Sequence, residues 1–343
     1  MRFNKYLVIS LFGALAFIPA FAVEVNKAAL SIFAPLPKVA DSKENPVTEA
    51  KIDLGRKLFY DTRFSKNQLI SCNSCHGLNN YGVDGTPNSE GHKKQHGGRN
   101  APTVYNAALH ITQFWDGRAA NVEEQAKGPV LNPIEMAMPD EAAVLAVINS
   151  IEEYKGLFAK AFPDNKAPVS YNNFGKAIGA FERGLLTPSR FDEFLNGKAD
   201  ALTDAEKVGL NKFVEAGCIA CHNGVGIGGA LYQKLGLVKA WPELTDEGRS
   251  AISKNIAEKG FFKVPSLRNI DKTSPYLHNG SVTELPTMVN KMAEHQLGKT
   301  LKDDEIISIV AFLKSLTGTV PDSYIAKPVL PPSGPNTPKA DPN

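Results

Sequence analysis

Four cysteines are the whole thiol complement of this 343-residue chain, and they fall in two copies of one pattern, Cys72-Asn73-Ser74-Cys75-His76 and Cys218-Ile219-Ala220-Cys221-His222. Two thiols one helical turn apart can each form a thioether to one vinyl group of the same porphyrin, and the histidine that follows brings an imidazole to the iron from that face. A zinc half-site would require both pairs to converge on one ion, and a redox dithiol gives no reason for a histidine after each pair. The two patterns therefore read as attachment sites for two covalent haem c groups, one in each half of the chain. No cysteine remains for a disulfide or a nucleophile.

The flanking sequence must hold these motifs. Ala50 to Tyr60 spaces its apolar residues at three and four and predicts a helix leading into the first motif. Thr203-Asp204-Ala205-Glu206 is a capping box that opens a helix running to Ala216, just before Cys218. Helical periodicity also covers Asp140 to Ala161, Tyr171 to Leu186, Thr283 to Gln296 and Asp303 to Leu316. Gly77 to Gly98 is polar and aperiodic, a loop that carries His92 and His96. Gly128 to Pro133 is bounded by prolines and reads as non-helical pocket lining. Gly224 to Gly229 matches G-x-G-x-x-G, but it follows a haem motif rather than a strand, so it reads as a flexible loop near a porphyrin and not as a dinucleotide site. The expected architecture is all-α: two cytochrome c-like helical domains with long functional loops.

Arg2 and Lys5, an apolar run from Tyr6 to Ile18 and Ala20-Phe21-Ala22 form a signal peptide over residues 1–22, with export to the periplasm as its consequence. Removing it takes two of the 38 basic residues and none of the 36 acidic ones, leaving 36 against 36. A neutral chain gives no support for nucleic-acid binding, and no stretch is long enough for a membrane span. The domain reading is residues 38–185 around the first haem and 186–325 around the second, with 23–37 packing on the latter. Residues 326–343 read as a disordered tail.

Leu54-Gly55 through Asp61, Arg63 and Ser65 into Ser71-Cys72, then Phe114 to Ala119, Pro133 to Met136 and Val264 to Asn269, resemble the bacterial dihaem cytochrome c peroxidases in the family's own order. The resemblance runs from about Lys51 to Leu316. It implies that His76 and His222 are proximal iron ligands, that Met292 is the distal ligand of the second haem with Met288 as packing, and that His92 is the distal ligand of the first, with His96 an extra candidate. It also implies Glu135 as the acid and base that splits peroxide, Gln125 as a pocket residue, Trp115 as a coupler between the haems, and Asn100, Thr273 and Pro275 as ligands of a calcium ion.

The activity implied is reduction of hydrogen peroxide to water by a homodimer, with electrons from a small cytochrome c or cupredoxin. Three alternatives stay open: a dihaem oxidase maturing a protein-derived cofactor, in which tyrosine would replace Met292 as ligand; a non-enzymatic dihaem electron carrier; and a peroxide sensor.

Overall fold

The helix before each haem motif crosses a later helix at a glycine, and this pairing organises each half of the chain. In the computed structural model, which describes residues 23–343, the helix Glu49–Tyr60 is capped by the Thr48 hydroxyl, and it buries Leu54, Leu58 and Phe59 against the helix Tyr171–Glu182. A Cβ on Gly55 would lie 1.9 Å from the Ala177 carbonyl oxygen and 3.0 Å from Phe181 Cβ. Only glycine permits so close a crossing. The second half repeats it: Asp204–Ala216 packs on Asp303–Ser315, and a Cβ on Gly209 would lie 1.9 Å from the Ser308 carbonyl oxygen and 3.0 Å from Phe312 Cβ.

The buried apolar side chains form two clusters. One is drawn from residues 54–185 with Ile325 added, and the other from Phe33 and residues 191–316. Residues 23–37 lie on the second: Leu36 N–H donates to Asp192 Oδ1 at 2.8 Å, and Ile32 O accepts from Gly224 N at 2.9 Å. That segment contains one helical turn, Lys27–Leu30, capped by Asn26. The signal peptide expected over residues 1–22 falls outside the described residues.

The capping box at Thr203 forms as expected, and the helix ends at Gly217 in the left-handed region (φ 95°), which turns the chain into Cys218. The stretch Asp140 to Ala161 divides into Glu141–Asn149 and Glu152–Ala161. At the break the Ser150 hydroxyl donates to the Val147 carbonyl at 2.7 Å, and Ile151 adopts extended geometry with its side chain buried. The helix expected from Thr283 begins at Leu285, because Pro286 has no N–H to lose in a first turn, and it ends at Leu297. Pro129 has the same effect in Gly128–Leu131, which is one helical turn rather than the irregular segment expected. The helix from Tyr171 stops at Glu182, short of Leu186, where Gly184 meets the Tyr324 hydroxyl.

The described residues are mainly helical, and Tyr232–Lys234 pairs antiparallel with Phe261–Lys263. Residues 326–343, read as a disordered tail, run extended across the first cluster's surface. Gln68 donates to Pro338 O at 2.8 Å, Asp341 N to Lys66 O at 2.8 Å, and Arg63 to Ser333 Oγ at 3.0 Å. Proline supplies fixed φ and a carbonyl acceptor, so a proline-rich strand can dock through its carbonyls without belonging to a sheet. Among the described residues no helix is long and apolar enough to cross a membrane.

Candidate functional site

Cys72–Cys75 forms a single helical turn, with Ser71 N–H donating to Ser74 Oγ at 3.0 Å and His76 N–H closing the turn on Cys72 O at 2.9 Å. Cys218–Ala220 does the same in tighter form, with His222 N–H on Cys218 O at 3.0 Å. All four cysteines are free of disulfides. Burial pushes the Cys72 thiol far up and the Cys218 thiol to about 11, so neither is a thiolate nucleophile.

Burial also holds His76 down, and His222 at about 4, which keeps both imidazoles neutral as iron ligands must be. Their Nδ1 atoms are buried and face backbone, Gly82 and Pro102 for His76, Ile227 and Pro265 for His222, without a hydrogen bond of good geometry. The His92 ring is 4% exposed, and neither of its nitrogens has a partner. A buried imidazole with both nitrogens unpartnered, as at His92, is costly unless another group completes it, and a haem iron at the first motif would do so. The residues fit the group.

His92 is positioned by its backbone. Its N–H donates to Glu135 O at 2.8 Å, and a Cβ on Gly91 would lie 2.0 Å from Ile134 O, so the Gly91-His92 step presses directly on the segment that carries Glu135. Lys93 and Lys94 both sit in the left-handed region, at φ 56° and 59°. His96 is exposed and its Nδ1 is 3.1 Å from Asn88 O. The two loop histidines are thus separated, one enclosed and one at the surface.

Burial raises the Glu135 carboxyl above its ordinary value, while Arg118 and Asn132 pull the other way. Its charge is felt at Cys75, which sets it beside the first motif. Arg118 lies over the Phe114 ring at 3.4 Å and bonds Asp116 at 3.0 Å. Gln125 closes the turn Val122–Gln125 and is half-buried.

Around the second motif, Cys218, Cys221, His222, Met288 and Met292 line one apolar cavity, and both methionines come from the helix Leu285–Leu297. Trp115 reaches the same cavity from the other half of the chain, and its Nε1 donates to Asn100 O at 3.0 Å. Asn100, Thr273 and Pro275 are among the residues that line it. With its main-chain carbonyl taken by Trp115 and its Nδ2 on Thr86 O, Asn100 offers Oδ1 to a cation. No group of three or more His, Cys, Asp or Glu that could hold a metal occurs among the described residues, so a calcium ion here would depend on amide and carbonyl oxygens.

Long-range pairing supplies parts of the site that local pattern did not reveal. Arg99 joins Asp246 through two bonds of 2.7 and 2.8 Å and Asp116 through one of 2.5 Å, which fixes the Trp115 segment between the halves. His278 stacks on Phe262 at 4.3 Å and meets Trp115 edge-on at 6.4 Å. Arg99 stands next to Asn100 and His278 lies two residues before Gly280, and those neighbours were the only local signals for either.

A model of the di-haem cytochrome c peroxidases matches residues 49–200, which include the first Cys-x-x-Cys-His. The chain is 43% identical over 327 residues to the cytochrome c551 peroxidase of Pseudomonas aeruginosa, covering 93% of each. It is 42% identical to the protein of the same name from Nitrosomonas europaea, over 95% of this chain and 94% of that one. Among solved structures, a MauG-like protein associated with microbial copper homeostasis superposes with a TM-score of 0.76 at 30% identity, over 90% of this chain and 99% of that one. The identity extends over both halves, and with it the chain belongs to the di-haem cytochrome c peroxidase family.

Proposed function

We propose that this chain is a periplasmic dihaem peroxidase that reduces hydrogen peroxide to two waters, using two protons and two electrons from a small soluble cytochrome c or cupredoxin. The observation that carries the reading is the contrast between the two distal sides. A buried histidine without partners lies on a strained loop against Glu135 at the first motif, and methionines on a helix face the second.

Cys72, Cys75 and His76 would hold one haem and Cys218, Cys221 and His222 the other, in domains spanning 38–185 and 186–325. Bound, each haem supplies an iron that exchanges single electrons. Met292 would hold the iron of the second, where a thioether favours the reduced state and suits electron entry. His92 closes the first site until its loop moves. Glu135 takes a proton from one peroxide oxygen and returns it to the other as the O–O bond breaks, and Gln125 orients the peroxide. A raised pKa brings Glu135 nearer the operating pH, as a group that both accepts and releases a proton requires. Trp115 couples the two halves. A calcium ion on Asn100, Thr273 and Pro275 braces that junction, and the working assembly is a homodimer.

Likeness to a MauG-like protein supports a second reading, a dihaem oxidase that matures a protein-derived cofactor. The cavity-lining Met288 and Met292 favour the peroxidase, because the oxidase is expected to carry tyrosine as ligand there. Peroxide turnover with reduced donor, measured before and after one electron is added per molecule, tests the proposal. Turnover that rises after the added electron supports it. Two haems that stay six-coordinate and inert to peroxide in both states would make the chain an electron carrier.

A further inference from the structure

Lys263 ends the strand Phe261–Lys263, is 7% exposed, and has its Nζ 3.0 Å from His110 Nδ1, a residue 153 positions away. Both residues line the cavity that holds Cys218, Cys221, His222 and Met292. Burial alone draws the Lys263 ammonium down to about 8, with no carboxylate offsetting the loss of water. Burial, and then the Lys263 charge, hold His110 well below its usual range.

An ammonium can only donate. His110 Nδ1 must therefore be the acceptor, and the neutral ring carries its proton on Nε2. That Nε2 is buried and has no acceptor in the protein. The ring packs into room that two glycines leave: a Cβ on Gly229 would lie 2.3 Å from His110 Cδ2 and one on Gly226 3.6 Å from it. Gly229, in the stretch that matches a nucleotide-site pattern, thus makes space for this imidazole. The result is a cation and an N–H donor on the cavity wall with no anion to meet them, an expensive arrangement unless the cavity's occupant brings one. A haem brings two carboxylates.

We propose that Lys263 and His110 form the seat of a propionate of the second haem, with His110 Nε2–H donating to the carboxylate and Lys263 supplying the charge that keeps this haem easy to reduce. This rests on the reading of Cys218, Cys221 and His222 as a haem site. A positive charge held close to the porphyrin stabilises the form carrying the extra electron, so the pair acts by positioning and field rather than by touching peroxide.

The test is a spectroelectrochemical titration of the holoprotein and of Lys263→Met, Lys263→Arg and His110→Gln, after pyridine haemochrome assay of haem content. Lys263→Met should lower the equilibrium constant for reducing the second haem about tenfold, about 59 mV for one electron. Lys263→Arg should stay within about twofold of the parent, and the first haem should be unmoved in all variants. If Lys263→Met fails to load haem, His110→Gln carries the test, with a smaller fall in the same direction expected. An unchanged midpoint in a haem-loaded Lys263→Met or His110→Gln would overturn the proposal, as would equal shifts for the Met and Arg variants. A parent protein without haem on Cys218 and Cys221 would instead remove the reading on which it rests.

Discussion

The two Cys-x-x-Cys-His turns are built alike, but their distal sides are not. At the first, the distal histidine is carried by a loop joined to Glu135 O through one backbone hydrogen bond, with two consecutive left-handed lysines behind it. Non-glycine residues in that region cost about 1–2 kcal/mol each, so a small change nearby can shift the loop. At the second, both methionines ride on the thirteen-residue helix Leu285–Leu297, packed against Asp303–Ser315. Similar turns thus meet different surroundings, a histidine on a loop at the first and methionines on a helix at the second.

The largest effect should come from breaking the chemistry on the loop-borne side. Glu135→Gln keeps the shape and both haems but cannot carry a proton, and peroxidase activity should fall about 10²–10⁴-fold. In the parent enzyme, activity should also decline as pH falls through the raised Glu135 pKa, since only the carboxylate accepts the proton. A variant within a few-fold of the parent would remove Glu135 from the mechanism.

Breaking the rigid side should cost stability. Arg268, 1% exposed, bonds Asp192 twice at 2.9 Å and also holds Val225 O, so it braces the loop beneath His222. Burial alone would raise the Asp192 carboxyl, but Arg268 outweighs it and the net shift is downward. The pair's contribution is therefore fully present above the ordinary aspartate range and is lost as pH falls through the lowered value. Arg268→Met leaves the buried Asp192 carboxylate without its cation and should cost about 3–5 kcal/mol in denaturant unfolding. A loss under about 1 kcal/mol would mean that the pair does not brace the site.

Removing the movable ligand sharpens the contrast. His92→Gly should give a high-spin first haem in the resting protein and turnover without prior reduction. A resting spectrum that stays low-spin would turn attention to His96, although its ring lies at the surface and bonds Asn88 O. The smallest change is Met292→His, which should leave the second haem six-coordinate but harder to reduce, so that donor-driven turnover falls while the peroxide site is intact. If Met288→His lowers the potential and Met292→His does not, Met288 is the ligand, since both side chains line the cavity.

What the sequence made legible was local chemistry. The haem motifs rest on covalent spacing, and the Thr203 cap on a four-residue pattern that forms as read. Where an outcome depended on distant partners, local pattern failed. The proline-rich terminus finds donors on Gln68 and Lys57 about 270 positions away. The Lys263–His110 pair lay beyond reach for the same reason, because nothing near either residue announces the other.

The central claim, that the helix-borne second site takes the electron and the loop-borne first site responds, is tested most directly by stepwise reduction of the holoprotein followed by optical and electron paramagnetic resonance spectra. A mild donor should reduce the Met-ligated haem alone, and the His92-ligated signal of the still-ferric first haem should then give way to a high-spin one as peroxide turnover begins. Reduction of both haems at a single potential, or a first haem that stays low-spin and inert once the second is reduced, would contradict it.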